Sequence, residues 1–302
     1  MKTSKPPADH HFVPQFLLRN FRDENEVLHV YDSRTVHRGV FPETTKKVFF
    51  ESHLYSKLQK QGEKDPALEC AFSAMESAMA GLVKDICDDA RKGKRRSLSA
   101  DERSLVDLFS YMQWKRVPDR INATMHDDTL RAIVDDSILE FEKTYRPLSD
   151  AERAESSDPA VWRRVRQNAR TNALANISKT VMGEFAKCAF MIVRITNPRC
   201  AFVISSNPVF RLGGIDGDTR LGHQNVELWL PVASDIAFVH GPRNSRTSYA
   251  EVNDSLRIRK WNAVAASGSK MIASKAKALT ASLIGSVATD LPQPTKKQAS
   301  DG

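Results

Sequence analysis

The chain has 302 residues, 41% hydrophobic and 27% charged, with a formal net charge of +8. That is the balance of a globular protein large enough to bury a core. No run reaches the ~18 apolar residues of a membrane span and no hydrophobic signal core opens the chain, so no membrane partner is expected. Four scattered cysteines (Cys70, Cys87, Cys188, Cys200) form no Cys-x-x-Cys pair, which argues against a zinc site or disulfide framework and for the cytosol.

Residues 1–8 are polar and proline-bearing and are expected to be disordered. The next stretch, 9–21, holds His10 and His11, then Pro14, then Arg19 between apolar neighbours. Pro14 suits a first helical turn and pushes Val13 toward extended geometry, so a short helix over 14–21 is expected with both histidines just outside its N-terminus. Residues 26–32 have a strand's composition, 36–41 that of its returning partner, and 46–50 that of a third strand. Residues 59–65 read as a polar loop.

The middle reads as helical. From 66 to 91 an apolar stripe runs through Leu68, Phe72, Met75, Met79, Leu82, Val83 and Ile86, with Glu69 and Glu76 at its border. The basic run at 91–96 contains no aromatic residue and reads as a solvated linker. Ser99 and Glu102 form a capping box that opens a helix to about 117, interrupted by Pro118. A helix over 119–145 and another from Asp158-Pro159 to Phe185 follow. Residues 189–195 and 201–204 then read as an antiparallel hairpin, with Cys188 and Cys200 in its core. Residues 212–222 form a Gly/Asp-rich connection, 226–231 and 235–240 two strands, 254–267 a helix and 270–274 a strand. The polar tail is expected to be disordered from 286.

One candidate follows from helical geometry. With Leu105 at 0°, Phe109 falls at about 40°, Met112 at about −20° and Arg116 at about 20°, so Arg116 lies within the apolar stripe. A charge there must meet an acidic side chain, a carbonyl cluster or a ligand anion. Gln113 flanks it, and Arg120 would join it if the helix continued past Pro118. Ser206 and Asn207, where an apolar strand stops at Pro208, are either part of a site or an ordinary turn. The rings of His10 and His11 point to opposite sides of an extended segment, so they cannot grip one metal together. No HExxH, GxSxG, GxxxxGK[ST] or GxGxxG spacing occurs, and no metal site is expected.

These residues together resemble the domain-of-unknown-function family 4238. The likeness rests on His10, His11, Pro14, Leu18, Arg19 and Phe21; on Tyr55-Ser56; on Leu68, Glu69 and Glu76; and on Gln113, Arg116, Pro118 and Arg120. It continues through Ser205-Ser206-Asn207-Pro208, Leu230-Pro231 and Asn262. Ser206 stands where the family usually has Asp, and its Pro-Leu-Ser-Pro element is reduced to Pro231-Val232-Ala233-Ser234. The resemblance implies no settled activity, but the setting of some members suggests bacterial anti-phage defence.

The expected architecture is α+β: an N-terminal β-hairpin region (9–58), a central helical bundle (66–186) and a C-terminal antiparallel sheet packed on the helices (187–275), in one domain over 9–285. The leading expectation is a cytosolic effector of the nuclease or nucleotide-hydrolase type, acting on nucleic acid or a nucleotide. His10, His11, Glu76, Gln113 and Asn207 would do the chemistry, and Arg19, Arg116, Arg120 and Ser206 would bind substrate. The alternative is a binding or sensor protein in which these groups form a structural network. The sequence names no cofactor.

Overall fold

The computed structural model describes residues 9–60, 62–124, 126–213, 225–243, 245 and 248–288. The expected disorder at 1–8 and most of the connection after Gly213 lie outside these residues, as does the tail from 289. Residues 286–288, expected in the tail, are described: a 3-10 turn at Ile284–Ser286 leads into the buried Val287. The chain divides into two compact units: residues up to Phe16 with Phe49–Cys188, and Leu17–Val48 with the residues from Ala189 onward. Among the described residues no helix is long and apolar enough to cross a membrane.

β1 (Asp9–His11) leads through Pro14 into α1 (Gln15–Arg19), where Leu17 and Leu18 are fully buried. β2 (Leu28–Asp32), β3 (Phe41–Glu43), β4 (Phe50–Ser52), β5 (Lys57–Leu58) and β6 (Lys64–Asp65) follow. β2 pairs with β3, but the return strand starts later than its composition suggests. The Asp32 carboxylate accepts the Arg34 N–H at 2.9 Å and holds Ser33–Arg38 in a 3-10 turn. Residues 46–50 are likewise no third strand of that hairpin: Thr45–Lys47 is a 3-10 turn and β4 pairs with β1. The polar loop at 59–65 is closed by the short β5–β6 ladder.

The first unit is built on helices. α2 (Ala67–Arg91) buries Phe72, Met79, Leu82, Val83 and Ile86, the apolar stripe of its sequence. α3 (Ala100–Lys115) starts on the Ser99–Glu102 capping box, and Pro118 starts α4 (Pro118–Thr124) as its first residue. The helix expected over 119–145 is broken, with α5 (Asp127–Thr144) beginning anew; of α5's apolar residues only Leu130 is buried, while Ile133, Phe141 and Tyr145 are exposed. α6 (Asp150–Ser157), unforeseen, opens on a second capping box at Ser149. The last long helix is two, α7 (Pro159–Ala175) and α8 (Lys179–Lys187), the second capped by Ser178. Cys188 caps α8 and is half-buried, as is Cys200, whereas Cys87 is the buried cysteine.

The second unit carries β7 (Ala189–Ile195), β8 (Ile204–Ser205), β9 (Phe210–Leu212), β10 (Glu227–Ala233), β11 (Ile236–Gly241), β12 (Tyr249–Val252), α9 (Ser255–Ser267), β13 (Met271–Ser274) and α10 (Lys277–Ser282). Its strands form sheets ordered β12-β7-β11-β10-β9 and β3-β2-β13-β8. The expected hairpin of 189–195 with 201–204 does not form: β7 pairs with β11 and, in parallel, with β12. Residues 201–203 are held instead by the Asn262 amide, which accepts the Val203 N–H at 3.1 Å and donates to the Ala201 carbonyl at 2.8 Å. The molecule is α+β, and among the described residues its strand pairs are antiparallel except for the parallel β7–β12 pairing.

Candidate functional site

Within the first unit, β1, the turn after β4, α2 and α3 bring His10, Tyr55, Glu69, Glu76, Gln113 and Arg116 into one polar network. α3 sets its base. Arg116 is fully buried, and its Nη1 donates to Glu76 Oε1 at 2.6 Å. With the Gln113 amide turned to satisfy its neighbours, its oxygen accepts from Arg116 Nη2 at 2.7 Å and from Nε at 3.1 Å. The guanidinium lies 5.5 Å from the centre of the Phe72 ring. Burial alone would pull the Arg116 pKa down; Glu76 and its neighbours reverse the sign, so it stays charged.

Alternation along β1 puts His10 and His11 in different settings, as an extended segment requires. His10 is buried and stacks on Tyr55 with ring centres 5.4 Å apart. Its Nδ1 accepts the Tyr55 N–H at 2.9 Å, which leaves Nε2 as the nitrogen that carries the ring hydrogen. The 3.8 Å between His10 Nδ1 and Glu69 Oε2 is therefore not a hydrogen-bonded ion pair, because the ring lone pair is already taken. His11 is half-buried, with its ring 5.7 Å from that of Phe50.

β4 is bracketed by two residues in the left-handed region, Phe49 (φ 55°) and His53 (φ 56°). Side chains with a Cβ occupy that region at a cost of ~1–3 kcal/mol each, so the surrounding structure must hold the turn. α7 does this: Gln167 Nε2 donates to the carbonyls of His53 (3.0 Å) and Ser56 (2.9 Å). The result aims the Tyr55 N–H at His10 and drives the Tyr55 ring into the interior. Its hydroxyl is buried and makes no hydrogen bond among the described residues, and burial raises its pKa.

The two glutamates, seven residues apart on α2, differ in state. Glu76 is ion-paired with Arg116. Glu69 is pushed up to about 7, first by burial and then by the Glu76 carboxylate, with Arg116 opposing both. One carboxylate is therefore engaged by a guanidinium while its neighbour exchanges a proton near neutrality. The same unit holds a cavity of about 400 Å³ whose lining includes Tyr55, Lys57, Asp65, Phe72, Met112 and Leu174 but neither glutamate.

The other candidates sit elsewhere. Arg120, on α4 beyond Pro118, lies over the Trp114 ring at 5.1 Å. Arg19 is exposed on the last turn of α1, in the second unit. Ser206 and Asn207 also belong to the second unit and serve its turns. The Ser206 Oγ accepts the N–H groups of Lys270 (3.1 Å) and Met271 (3.3 Å). The Asn207 N–H donates to the Ser269 hydroxyl at 3.2 Å, and its Nδ2 reaches the Gly268 carbonyl at 3.5 Å. Among the described residues no three His, Cys, Asp or Glu side chains gather as a metal site.

Sequence reasoning passed over Tyr55 and Glu69 as chemistry. A signal for Glu69 was present in the seven-residue spacing to Glu76 on one helix face; Tyr55 was marked only as part of the Tyr55-Ser56 element of the family likeness, with no role attached.

The family model described as "Protein of unknown function (DUF4238)" matches residues 9–277. The chain belongs to the DUF4238 family. The matched span of this DUF4238 protein includes every residue of the network just described. No curated protein and no solved structure matches it.

Proposed function

We propose that the network in the first unit is an acid–base centre, with Glu69 moving the proton and the Arg116–Glu76–Gln113 group positioning it. The observation that carries this reading is a proton-exchanging carboxylate beside an ion-paired one, in one network with a buried tyrosine hydroxyl that makes no hydrogen bond among the described residues; Tyr55 also lines the cavity, which the two carboxylates do not. The aromatic and aliphatic walls suit a nucleobase-sized group, and the net charge of +8 suits phosphate-bearing substrates. We therefore infer a nucleotide- or nucleic-acid-directed hydrolase; the family resemblance, not the geometry, suggests that it is exercised in the bacterial cytoplasm in anti-phage defence. Arg116 is a positioning residue in this reading, because its donors are engaged by Glu76 and Gln113.

The same engagement favours a second reading, in which the network only fixes the fold of a binding protein. Turnover separates the two. The purified chain is incubated with nucleotides, RNA and DNA across pH 5–9 and the products are resolved by chromatography. The enzyme reading requires product whose rate follows a group titrating near 7 and falls at least ~100-fold in Glu69→Gln with an unchanged fold. Undiminished rates in that variant, or no turnover of any of these substrates, would overturn it.

A further inference from the structure

A second pocket in the first unit, of about 240 Å³, is lined by Arg131 of α5, Ser156 and Ser157 of α6, and Trp162, Arg163 and Arg166 of α7. α7 carries Arg163, Arg164, Arg166 and Arg170 and no acidic residue. Arg163, Arg166 and Arg170 follow at i, i+3 and i+7, so they share one helix face over about 10 Å.

The acids around this pocket are already engaged. Asp127 takes Arg166 Nη2, Asp158 caps α7 by accepting the Ala160 N–H at 2.7 Å, and Glu155 lies 3.5 Å from Lys60. Arg131, its guanidinium 4.5 Å from the Trp162 ring centre, and Arg163, exposed, make no ion pair among the described residues. The serine hydroxyls now donate to the Arg153 carbonyl at 2.8 and 3.2 Å and can rotate toward a stronger acceptor.

We propose that this pocket binds a phosphate group, with Arg131 and Arg163 as its paired guanidinium donors and Ser156 and Ser157 completing the shell. Guanidinium forks match phosphate oxygens in charge and geometry, and Trp162 holds Arg131 in place from behind. Farther along α7, Arg166 is taken by Asp127 and Arg170 by Glu51 (3.4 Å), so the donors for the phosphate are Arg131 and Arg163. The phosphate comes either from a nucleic-acid strand or from a small phosphate compound. The site uses none of the residues of the Glu69 network and needs no catalysis there.

The test is fluorescence anisotropy of the full chain with a labelled single-stranded oligonucleotide at several salt concentrations, with inorganic phosphate and a nucleoside triphosphate as competitors. We expect binding that weakens with salt. In the double variant Arg131→Gln/Arg163→Gln it weakens at least about tenfold. The log–log salt slope of that variant falls by about 0.7, because one phosphate of a single strand is no longer neutralised. Competition by millimolar inorganic phosphate assigns the pocket to small phosphates, and competition by unlabelled strand alone assigns it to nucleic acid. Glu69→Gln should bind as the wild type does, so failure of the acid–base reading leaves this result intact. Neutralising Arg91 and Arg95 should also leave it unchanged. The proposal is overturned if the Arg131/Arg163 variant, still folded by its melt, binds with unchanged affinity and slope, or if the wild type binds none of the three ligands.

Discussion

Removing Arg116 tests the network most severely. The side chain is fully buried and donates one short hydrogen bond to Glu76 and two to Gln113. Truncation to alanine leaves the Glu76 carboxylate, 23% exposed, beside a cavity and strands the Gln113 oxygen without a donor. Breaking one side of a buried ion pair costs ~3–5 kcal/mol, and the partial exposure of Glu76 places Arg116→Ala near the lower end. At about 2–4 °C per kcal/mol for a unit of this size, the melting temperature should fall by about 6–12 °C. Arg116→Lys keeps the charge but loses the planar fork that serves two partners at once, and should fall between. The double variant Glu76→Leu/Arg116→Met removes both charges and should recover to within about 1 kcal/mol of the wild type. Differential scanning calorimetry at pH 7 reads all three. An Arg116→Ala melt within a degree of the wild type would refute the claim that this guanidinium holds α2 to α3.

Three further outcomes are expected. The folded pKa of Glu69 lies above its ordinary 4.5, so its protonation favours the folded state; stability is greatest below about 4.5 and declines as pH rises through about 7. The full shift would be worth ~3 kcal/mol, which solvent screening of this partly exposed carboxyl reduces to ~1–2. Glu69→Gln should therefore melt a few degrees above the wild type at pH 8 and together with it at pH 4, and equal melts at both would contradict the burial argument. Tyr55→Phe removes a buried hydroxyl that has no partner, and urea unfolding should show unchanged stability or a gain of up to ~1 kcal/mol; a loss above ~1 kcal/mol would mean that the hydroxyl is bonded in the folded protein. Ser99→Ala should cost ~1 kcal/mol in urea unfolding by opening the capping box of α3, and unaltered stability would be evidence against that cap.

What was legible in the sequence was what local periodicity encodes. Arg116 could be placed on the buried face of α3 because ~100° per residue relates it to Phe109 and Met112 without knowledge of any partner. The Ser99–Glu102 cap, the helical run of α2 and the separate strands β10 and β11 were likewise read from local pattern, though not the pairing of those two strands. Pairings between distant segments were not. β4 has a strand's composition but no feature that names β1, some 40 positions earlier, as its partner, and β8 has only two residues with which to declare its sheet. Asn262 displaced the expected hairpin at 201–204 by offering one amide to two backbone groups 59 and 61 residues away. Glu69 was overlooked for a related reason: its titration depends on Glu76 and Arg116, and a solvated glutamate on a helix border looks the same in sequence.

The central claim is that Glu69, beside the Arg116–Glu76 ion pair, exchanges its proton near neutrality. Carboxyl-carbon NMR of the glutamate-labelled protein, titrated from pH 3 to 9 with the Glu69 signal assigned from Glu69→Gln, measures this directly. The account predicts a Glu69 midpoint near 7. A midpoint near the ordinary 4.5 would contradict it and remove the basis for acid–base chemistry at this site.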